Sequence, residues 1–347
     1  MSESYNLVVM GNPLLDIQCD ATEELLNKYG LKANNAILAD ETHKPLYNEI
    51  VEKFDVVYVA GGAAQNTGRG AQFFLPANSA VYMGCVSDDK FAETMKKAAE
   101  ADGLHANYMI TDEAATGTCA CLITDDNRSL VANLAASEKF KLDWLQKPEN
   151  WRLIENAKYF YFGGFFLSHD GGYASSVAVS KYASENGKVF AINLSAPFLS
   201  QFFKDRVDAV IKNTDVLFGN EDEARTYATQ AGWNTDDVKV IAKKFAQLEK
   251  SNSRPRVVVI TQGSDETVYA VGDEVKVVPV QKVDSEDIVD CNGAGDAFCG
   301  GFMGYYAQGV EDIERCVHAG HYLASLVIKR VGPSYPPVAE RTNVPKF

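Results

Sequence analysis

Short apolar runs alternate with longer amphipathic stretches along most of the chain from residue 80 onward. The apolar runs have the length of β-strands, and the amphipathic stretches repeat with the period of an α-helix. Because strands that alternate with helices build parallel sheets, the pattern predicts an α/β fold with a doubly wound, mainly parallel sheet flanked by helices. The predicted strands are 81–86, 158–163, 188–193, 215–219 and 256–261, and the predicted helices are 90–101, 172–186 and 200–211.

The chain before residue 60 departs from this alternation. Residues 6–10 form an apolar run that predicts a buried strand, which ends at a Gly-Asn-Pro turn. The segment 17–60 has instead the pattern of two short polar helices with a little strand, and 116–134 has that of a hairpin. Together these segments indicate a small β-rich unit beside the main sheet.

Composition narrows the classes of ligand. The chain has 347 residues, 46% of them hydrophobic, which is enough for one large α/β domain with a small appendage. Its net charge of −14 argues against nucleic acid and acidic membranes as partners. The phosphates of a bound nucleotide would therefore have to be met by local amides, a metal ion and one or two cations.

The cysteines and the N-terminus bear on where the protein works. Seven cysteines without a C-x-x-C pair fit a reducing compartment better than a disulfide framework. There is no basic leader and no long apolar span, so we expect no signal peptide or membrane helix. These features predict a cytoplasmic protein, with a nuclear pool left open. No exposed apolar face is marked, and we expect a monomer.

The stretch 288–304 carries the strongest chemical signal. Gly293 and Gly295 let the backbone turn with its N–H groups uncovered, and the apolar run after them predicts a packed helix. A helix that begins on uncovered amides attracts anions, and Asp296 in its first turn could accept a proton from a hydroxyl. The pattern indicates phosphoryl transfer to an alcohol, and a plain turn is the alternative. The helix dipole should lower the pKa of Asp296.

Two common nucleotide signatures are excluded. No G-x-x-x-x-G-K-[ST] pattern occurs, which excludes a P-loop. The glycines lie near the C-terminus rather than inside an early strand-helix-strand unit, which excludes a Rossmann site.

Several runs resemble one known family. Residues 290–298, Asp-Cys-Asn-Gly-Ala-Gly-Asp-Ala-Phe, resemble the C-terminal signature of the ribokinase-like (PfkB) carbohydrate kinases. The segments 11–17 and 61–66 resemble the two N-terminal sugar-contacting segments of that family. Further runs resemble its adenosine kinase branch, and all the matches follow in order from residue 6 to about 335. These further runs are 116–120, 126–130, 193–198 and 319–322.

The resemblance implies two structural parts and a set of roles at the phosphate. Residues 1–16, 61–115 and 136–347 would form a large α/β domain that binds nucleotide and substrate, and residues 17–60 and 116–135 a small lid. Asp296 would be the catalytic base. Arg128 on the lid would neutralise the transferring phosphoryl group as an arginine finger does, and a solvated hairpin arginine is the alternative. The anion hole would be formed by Gly293, Ala294 and Gly295.

The resemblance also implies how a nucleoside would bind. Asp16 would grip two ribose hydroxyls, because an ionised carboxylate offers two acceptor oxygens. An apolar slot would hold the purine ring, although each of its residues would suit a protein core equally well. The implied substrate-binding residues are Asn12, Asp16, Leu38, Gly62, Asn66, Cys119, Leu134, Phe165 and Phe198.

ATP and Mg²⁺ are the implied co-substrate and cofactor. Asn220-x-x-Glu223 begins a helix, and the family uses this pattern near the phosphates, so Glu223 would hold Mg²⁺ through water. Helix capping is the alternative for both residues. The implied ATP-binding residues are Asn220, Thr261, Gly263, Asn292 and His321, the last of which could otherwise be an ordinary core histidine.

The activity that the resemblance implies is ATP-dependent phosphorylation of the 5′-hydroxyl of adenosine, which gives AMP and ADP and serves purine salvage. Adenosine and ATP would then be the partners. A kinase for inosine, guanosine or a free sugar is one alternative, because the hydroxyl-holding residues would look similar. A nucleoside-binding regulator that no longer catalyses is another, although the presence of both Asp296 and Arg128 argues against it.

Overall fold

A computed structural model of the chain describes residues 5–33, 35–124, 127–337, 341 and 344–347. Apolar runs form its strands, and the four residues of the first strand are all buried. The strands are β1 (Leu7–Met10), β2 (Leu14–Asp20), β3 (Ala36–Leu38), β4 (Val57–Gly61), β5 (Ala80–Val86), β6 (His105–Ile110), β7 (Thr118–Thr124), β8 (Asn127–Asn133), β9 (Tyr159–Phe162), β10 (Val189–Asn193), β11 (Val216–Asn220), β12 (Val257–Gln262), β13 (Asp265–Val271) and β14 (Glu274–Val278).

The larger of two sheets has the order β14-β13-β12-β11-β10-β9-β1-β5-β6 over the described residues. Strands β12, β11, β10, β9, β1, β5 and β6 of this sheet run parallel to one another. Strands β13 and β14 add an antiparallel ribbon beside β12. Met10 aligns with Phe162, so the carboxyl ends of neighbouring strands meet at one edge. The predicted fold class, a doubly wound and mainly parallel α/β sheet, is confirmed.

Helices cover both faces of this sheet, which explains why its central strands, such as β1, β5 and β12, are mainly apolar and buried. The helices are α1 (Glu23–Lys28), α2 (Lys44–Lys53), α3 (Ala63–Gln72), α4 (Lys90–Ala101), α5 (Leu142–Leu145), α6 (Pro148–Asn156), α7 (Asp170–Glu185), α8 (Pro197–Phe202), α9 (Lys204–Ile211), α10 (Glu221–Gln230), α11 (Val238–Gln247), α12 (Ala294–Tyr306) and α13 (Ile313–Val327). None of the helices in the described ranges is both long and apolar enough to cross a bilayer.

The predicted single helix 200–211 is wrong, because two helices occupy this stretch. Helix α8 begins early, with Pro197 in its first turn, and ends before Phe203. Phe203 has φ −125° and ψ 24°, outside the helical range, and α9 begins after it. Its ring lies 6.4 Å from that of Phe198, so the break lets an apolar side chain pack inward.

Helix α12, which carries Asp296, is packed closely against its neighbours. A Cβ on Gly301 would collide with the carbonyl oxygen of Ala319 on α13. A Cβ on Gly300 would meet the carbonyl oxygen of Thr67 on α3 at 2.7 Å. Glycine therefore allows the three helix backbones to approach one another, and the position of the first turn of α12 is fixed by backbone contacts.

The second sheet has the order β3-β8-β7-β2-β4 in the part of the chain that is described. One face packs on α1 and α2 through a cluster that includes Leu26, Leu46 and Ile50. The other face presents Leu14, Cys119 and a few further apolar side chains. Strand β2 of this sheet begins at Leu14, three residues before residue 17, where the lid was expected to begin. The division of the chain into two domains stays a prediction.

Candidate active site

A cavity of about 530 Å³ lies between the carboxyl edge of the large sheet and the second sheet. Residues from both sheets line it, and most residues named from the sequence are among them. The predicted residues on its wall are Asn12, Asp16, Gly62, Asn66, Cys119, Arg128, Leu134, Phe165, Asn220, Glu223, Thr261, Asn292, Gly293, Ala294, Gly295 and Asp296.

Four predicted residues lie elsewhere. Leu38 packs with Leu14 and other side chains of the second sheet. The ring of Phe198 stands edge-on to that of Phe165 at 5.1 Å, so it supports the cavity wall from behind. Gly263 is exposed, and His321 Nε2 shares a 2.8 Å hydrogen bond with the hydroxyl of Thr267. The assignment of these four residues to ligands stays a prediction.

The glycine turn before α12 presents amides at the cavity. Gly293 is the N-cap of α12, with a left-handed φ of 76°, which glycine adopts without strain. The Ala294 amide already donates to the carbonyl oxygen of Cys291 at 3.2 Å, whereas the amides of Gly295 and Asp296 have no backbone acceptor within the described segments. These two amides are therefore better placed than that of Ala294 to receive an anion.

Asp296 stands in the first turn of α12 and accepts a 3.0 Å hydrogen bond from Asn66 Nδ2. Burial raises the pKa of its carboxyl to about 6, and the Asn66 hydrogen bond opposes this. The prediction that the helix dipole would lower this pKa was wrong. The carboxyl group has lost most of its water, and the cost of desolvating the charge exceeds the gain from the helix terminus.

Asp16 lies across the cavity on β2, where it is 7% exposed. Burial, together with the nearby charge of Asp296, raises the pKa of its carboxyl to about 7. Its side chain fills the space beside Gly61, where any Cβ would collide with the carboxylate. The next residue, Gly62, has φ 88° and lies against the carbonyl oxygen of Asn12. Gly61 thus makes room for the carboxylate at the cavity wall, and Gly62 allows the close approach of the Asn12 backbone.

Arg128 lies on β8 and forms an ion pair with Asp290, just before the glycine turn. Its side chain is 14% exposed, so the interpretation as a solvated hairpin arginine does not fit. The guanidinium is therefore held at the cavity, next to the predicted anion hole.

Asn220 and Glu223 form a capping box at the start of α10. The Asn220 side chain accepts from the Glu223 amide at 2.8 Å, and Glu223 Oε2 accepts from the Asn220 amide at 2.9 Å. The capping role is therefore present, and both residues also line the cavity. Burial raises the pKa of Glu223 to about 7, while the Asn220 hydrogen bond opposes this.

His169 is a residue at the site that the sequence did not reveal. Its Nδ1 accepts a 3.1 Å hydrogen bond from the amide of Gly172, so the proton resides on Nε2. Nε2 lies 3.0 Å from Asn12 Oδ1 and donates to it, while Asn12 Nδ2 donates to the carbonyl of Phe165 at 3.4 Å. Burial lowers the pKa of His169 to about 4, which keeps the ring neutral. A buried histidine therefore fixes the Asn12 amide.

One group of side chains in the described ranges has the makeup of a metal site. The ligand atoms of Asp16, Cys119 and Cys121 lie within 4.8 Å of one another. Hydrogen bonding to Cys119 and burial raise the pKa of Cys121 well above its usual value. Since metals bind the thiolate, and Mg²⁺ prefers oxygen, this group does not suit magnesium.

The arrangement suits transfer of an anionic group to an alcohol. A carboxylate that can accept a proton lies next to amides that can hold an anion, and a guanidinium faces them from the second sheet. A second carboxylate, Asp16, stands where hydroxyl groups could be held.

Comparison with known proteins gives consistent matches. The model of the pfkB family of carbohydrate kinases matches residues 23–340. The chain is 48% identical to adenosine kinase 2 of Arabidopsis thaliana, over 96% of this chain and 97% of the relative. It is 44% identical to adenosine kinase of Schizophyllum commune, over 96% and 97%.

Solved structures of adenosine kinases also superpose on this chain. The adenosine kinase of Anopheles gambiae in complex with P1,P4-di(adenosine-5) tetraphosphate superposes with a TM-score of 0.90 at 41% identity, over 94% of this chain and 96% of that one. The adenosine kinase of Schistosoma mansoni in complex with 2-fluoroadenosine gives a TM-score of 0.92 at 34% identity, over 97% and 98%.

Proposed function

This chain belongs to the pfkB family of carbohydrate kinases, and we propose that it transfers the γ-phosphate of ATP to the 5′-hydroxyl of adenosine, giving AMP and ADP. The observation that carries the proposal is the position of Asp296, beside open helix amides and bonded to Asn66 at the cavity wall. The full-length similarity to adenosine kinases selects adenosine among the possible alcohols.

The nucleoside binds with its ribose toward the second sheet. Asp16, when ionised, accepts from ribose hydroxyls, and Asn66 lies beside it with its Oδ1 unbonded among the described residues. The purine ring lies against Phe165, which is only partly buried and backed by Phe198. His169 holds the Asn12 amide in one orientation at this end of the cavity.

The phosphoryl group is met by groups from both walls. The amides of Gly295 and Asp296 receive the γ-phosphate at the N-terminus of α12. Arg128 offers positive charge to the equatorial oxygens of that phosphate. Asp296 takes the proton from the 5′-hydroxyl, and this transfer is late in a loose transition state, so placement of the carboxylate matters more than its basicity.

The residues present fit a magnesium ion. Asp16 and Glu223 are both buried, and in each case the charge of Asp296 adds to burial in raising the pKa. Such an excess of carboxylates at one cavity favours a divalent cation. Glu223, with Asn220 beside it, would hold Mg²⁺ through water, and the ion would neutralise charge on the phosphates.

A coupled assay of ADP release with Mg²⁺ and ATP tests the proposal. We expect turnover with adenosine and much weaker turnover with inosine, guanosine and ribose. A preference for one of the other acceptors would change the assigned substrate. Tight adenosine binding without any ADP release would refute the kinase activity and identify a nucleoside-binding regulator.

A further inference from the structure

Asp290 is a buried carboxylate immediately before the predicted anion hole, and neither the family signature nor the mechanism above gives it a role. It is 4% exposed. Its Oδ1 accepts a 2.6 Å hydrogen bond from the amide of Asn292, and its Oδ2 accepts a 2.7 Å hydrogen bond from the amide of Gly332. Oδ1 also forms the ion pair with Arg128 Nη2.

These three contacts join three separate segments of the chain. Asn292 belongs to the glycine turn, and Gly332 follows α13, 42 residues away from Asp290. Arg128 belongs to β8 of the second sheet. The Asp290 carboxylate therefore shapes the glycine turn and also fixes the position of the Arg128 guanidinium beside that turn. The amides of Asp290 and Val289 both donate to the carbonyl oxygen of Ile328, which fixes the backbone of the carboxylate itself.

We propose that Asp290 is a positioning residue for phosphoryl transfer: it holds the Arg128 guanidinium against the glycine turn, within reach of the phosphate that the turn receives. The proposal rests on the kinase activity proposed above. A guanidinium carries five N–H groups in a planar fork, more than one carboxylate oxygen can use, so an arginine held by Asp290 can still donate to a phosphate. Without this carboxylate, the long arginine side chain would sample many rotamers, and few of them would place it at the transferring group.

The Asp290–Arg128 ion pair could have two other roles, and each leads to a different expected result for the removal of Asp290. If Asp290 served only to shape the turn, its removal would weaken catalysis whether or not Arg128 were present. If the pair instead restrained Arg128 away from the phosphate, removal of Asp290 would speed turnover. A double-mutant cycle between the two residues separates these three roles.

The experiment measures kcat, the KM for ATP and the Kd for adenosine in the full chain, for Asp290→Asn, Arg128→Ala and the double variant. The asparagine keeps an oxygen for the backbone amides and removes the charge. We expect Asp290→Asn to lower kcat by about tenfold to 10²-fold, the cost of a misplaced catalytic group, with the adenosine Kd unchanged. The double variant should be no slower than Arg128→Ala alone.

Equal losses from Asp290→Asn with and without Arg128 would overturn the proposal, as would a faster Asp290→Asn enzyme. Should Asp290→Asn fail to fold, Asp290→Glu completes the cycle, because it keeps the charge in a displaced position and should slow turnover only when Arg128 is present. A wild-type chain that releases no ADP would refute the proposed function, whereas wild-type turnover with an additive cycle would refute this inference alone.

Asp215 supplies a matched control. It is also a buried aspartate that accepts a backbone hydrogen bond, from Phe190 at 2.9 Å, and it pairs with Lys250 at 2.6 Å. It is absent from the cavity wall. Asp215→Asn should lower the melting temperature and leave kcat unchanged. Combined with Arg128→Ala, it should cause no further change in kcat. If it changed kcat as much as Asp290→Asn, the effect at Asp290 would be one of general stability.

Discussion

The two walls of the cavity are built in different ways. The body wall, which we define as Asn220, Glu223 and residues 293–296, consists of two helix N-termini at the edge of the large sheet. Glu223 accepts a hydrogen bond from the backbone amide of Asn220, and Asp296 accepts one from the side-chain amide of Asn66. Helix α12 contacts the backbone of α13 directly, which fixes its position. The groups that we propose to act on the reacting atoms thus lie on closely packed elements.

The lid wall, which we define as Asp16, Cys119, Arg128 and Leu134, consists of side chains from one face of the second sheet. Alternate strand residues face the cavity, and the others pack on α1 and α2. This wall contributes one carboxylate and one guanidinium within an otherwise apolar surface. Under the proposed function, the body wall would supply the base and the anion-binding amides, whereas the lid wall would hold the ribose and add the positive charge of Arg128.

Removal of the body-wall acid should have the largest effect. Asp296→Asn should lower kcat by about 10²-fold to 10⁴-fold, the range for a positioned general base, with adenosine affinity and melting temperature nearly unchanged. Steady-state kinetics together with equilibrium binding would measure this split. A variant that kept more than half of the wild-type turnover would remove Asp296 from the chemistry, and the functional contrast between the walls would fail.

Removal of the lid-wall cation should act on turnover as well. Arg128→Ala should slow kcat by about 10³-fold, the lower end of the range for an arginine finger, because charge on the transferring phosphoryl group would be left unneutralised. The Kd for adenosine should stay near the wild-type value. If nucleoside affinity fell while kcat did not, Arg128 would serve the ground state only, and the lid wall would hold substrate without aiding transfer.

The pH dependence should report both walls. The pKa of Asp16 is raised to about 7 and that of Asp296 to about 6, so both carboxyls take up protons as the pH falls through this window. Asp16 must be ionised to accept hydrogen bonds from the ribose, and Asp296 must be ionised to accept the proton. The kcat/KM for adenosine should therefore fall by about tenfold per pH unit between the two pKa values, by about 10²-fold per unit below both, and level off above them. In the Asp16→Asn variant, the loss near pH 7 should disappear.

A flat kcat/KM from pH 5 to 8 would show that neither carboxyl titrates as the burial implies. The pH dependence of kcat reports the ionisation of groups in the enzyme–substrate complex. It should therefore show only the pKa of the group that acts in that complex, which we expect to be Asp296.

The smallest effects should come from the apolar support. Phe165→Ala should weaken adenosine binding by about tenfold, the size of one base-aromatic stack, because Phe165 lines the cavity. Phe198→Ala should weaken it only a few-fold, because this ring contacts Phe165 edge-on from behind. Calorimetric titration of both variants would test the order. The reverse order would place the purine against Phe198.

The family resemblance named most of the residues on the cavity wall, and several of them follow a strand or begin a helix. Parallel strands bring such positions to one edge, so Asn12, Phe165 and Asn220 meet there although they are far apart in the chain. The family resemblance supplied Arg128 and Asp16, whose places depend on a second sheet that periodicity alone described poorly.

Partners distant in sequence account for what was missed. His169 acts through Asn12, which lies 157 residues away, and nothing around it in the chain marks that contact. Asp290 was part of a quoted motif, yet its role depends on Gly332 and on Arg128 across the cavity.

The amino-acid order by itself determined the alternation of strands and helices, the glycine turn and the acid that follows it, because these depend on local periodicity and backbone freedom. Only the tertiary structure decided the charge state of the site. Burial at the cavity raises the pKa values of Asp16, Glu223 and Asp296, and the charge of Asp296 adds to this effect at Asp16 and Glu223, although the helix N-terminus alone would have lowered the pKa of Asp296. Desolvation depends on everything packed around a group, and no local stretch of sequence contains that information.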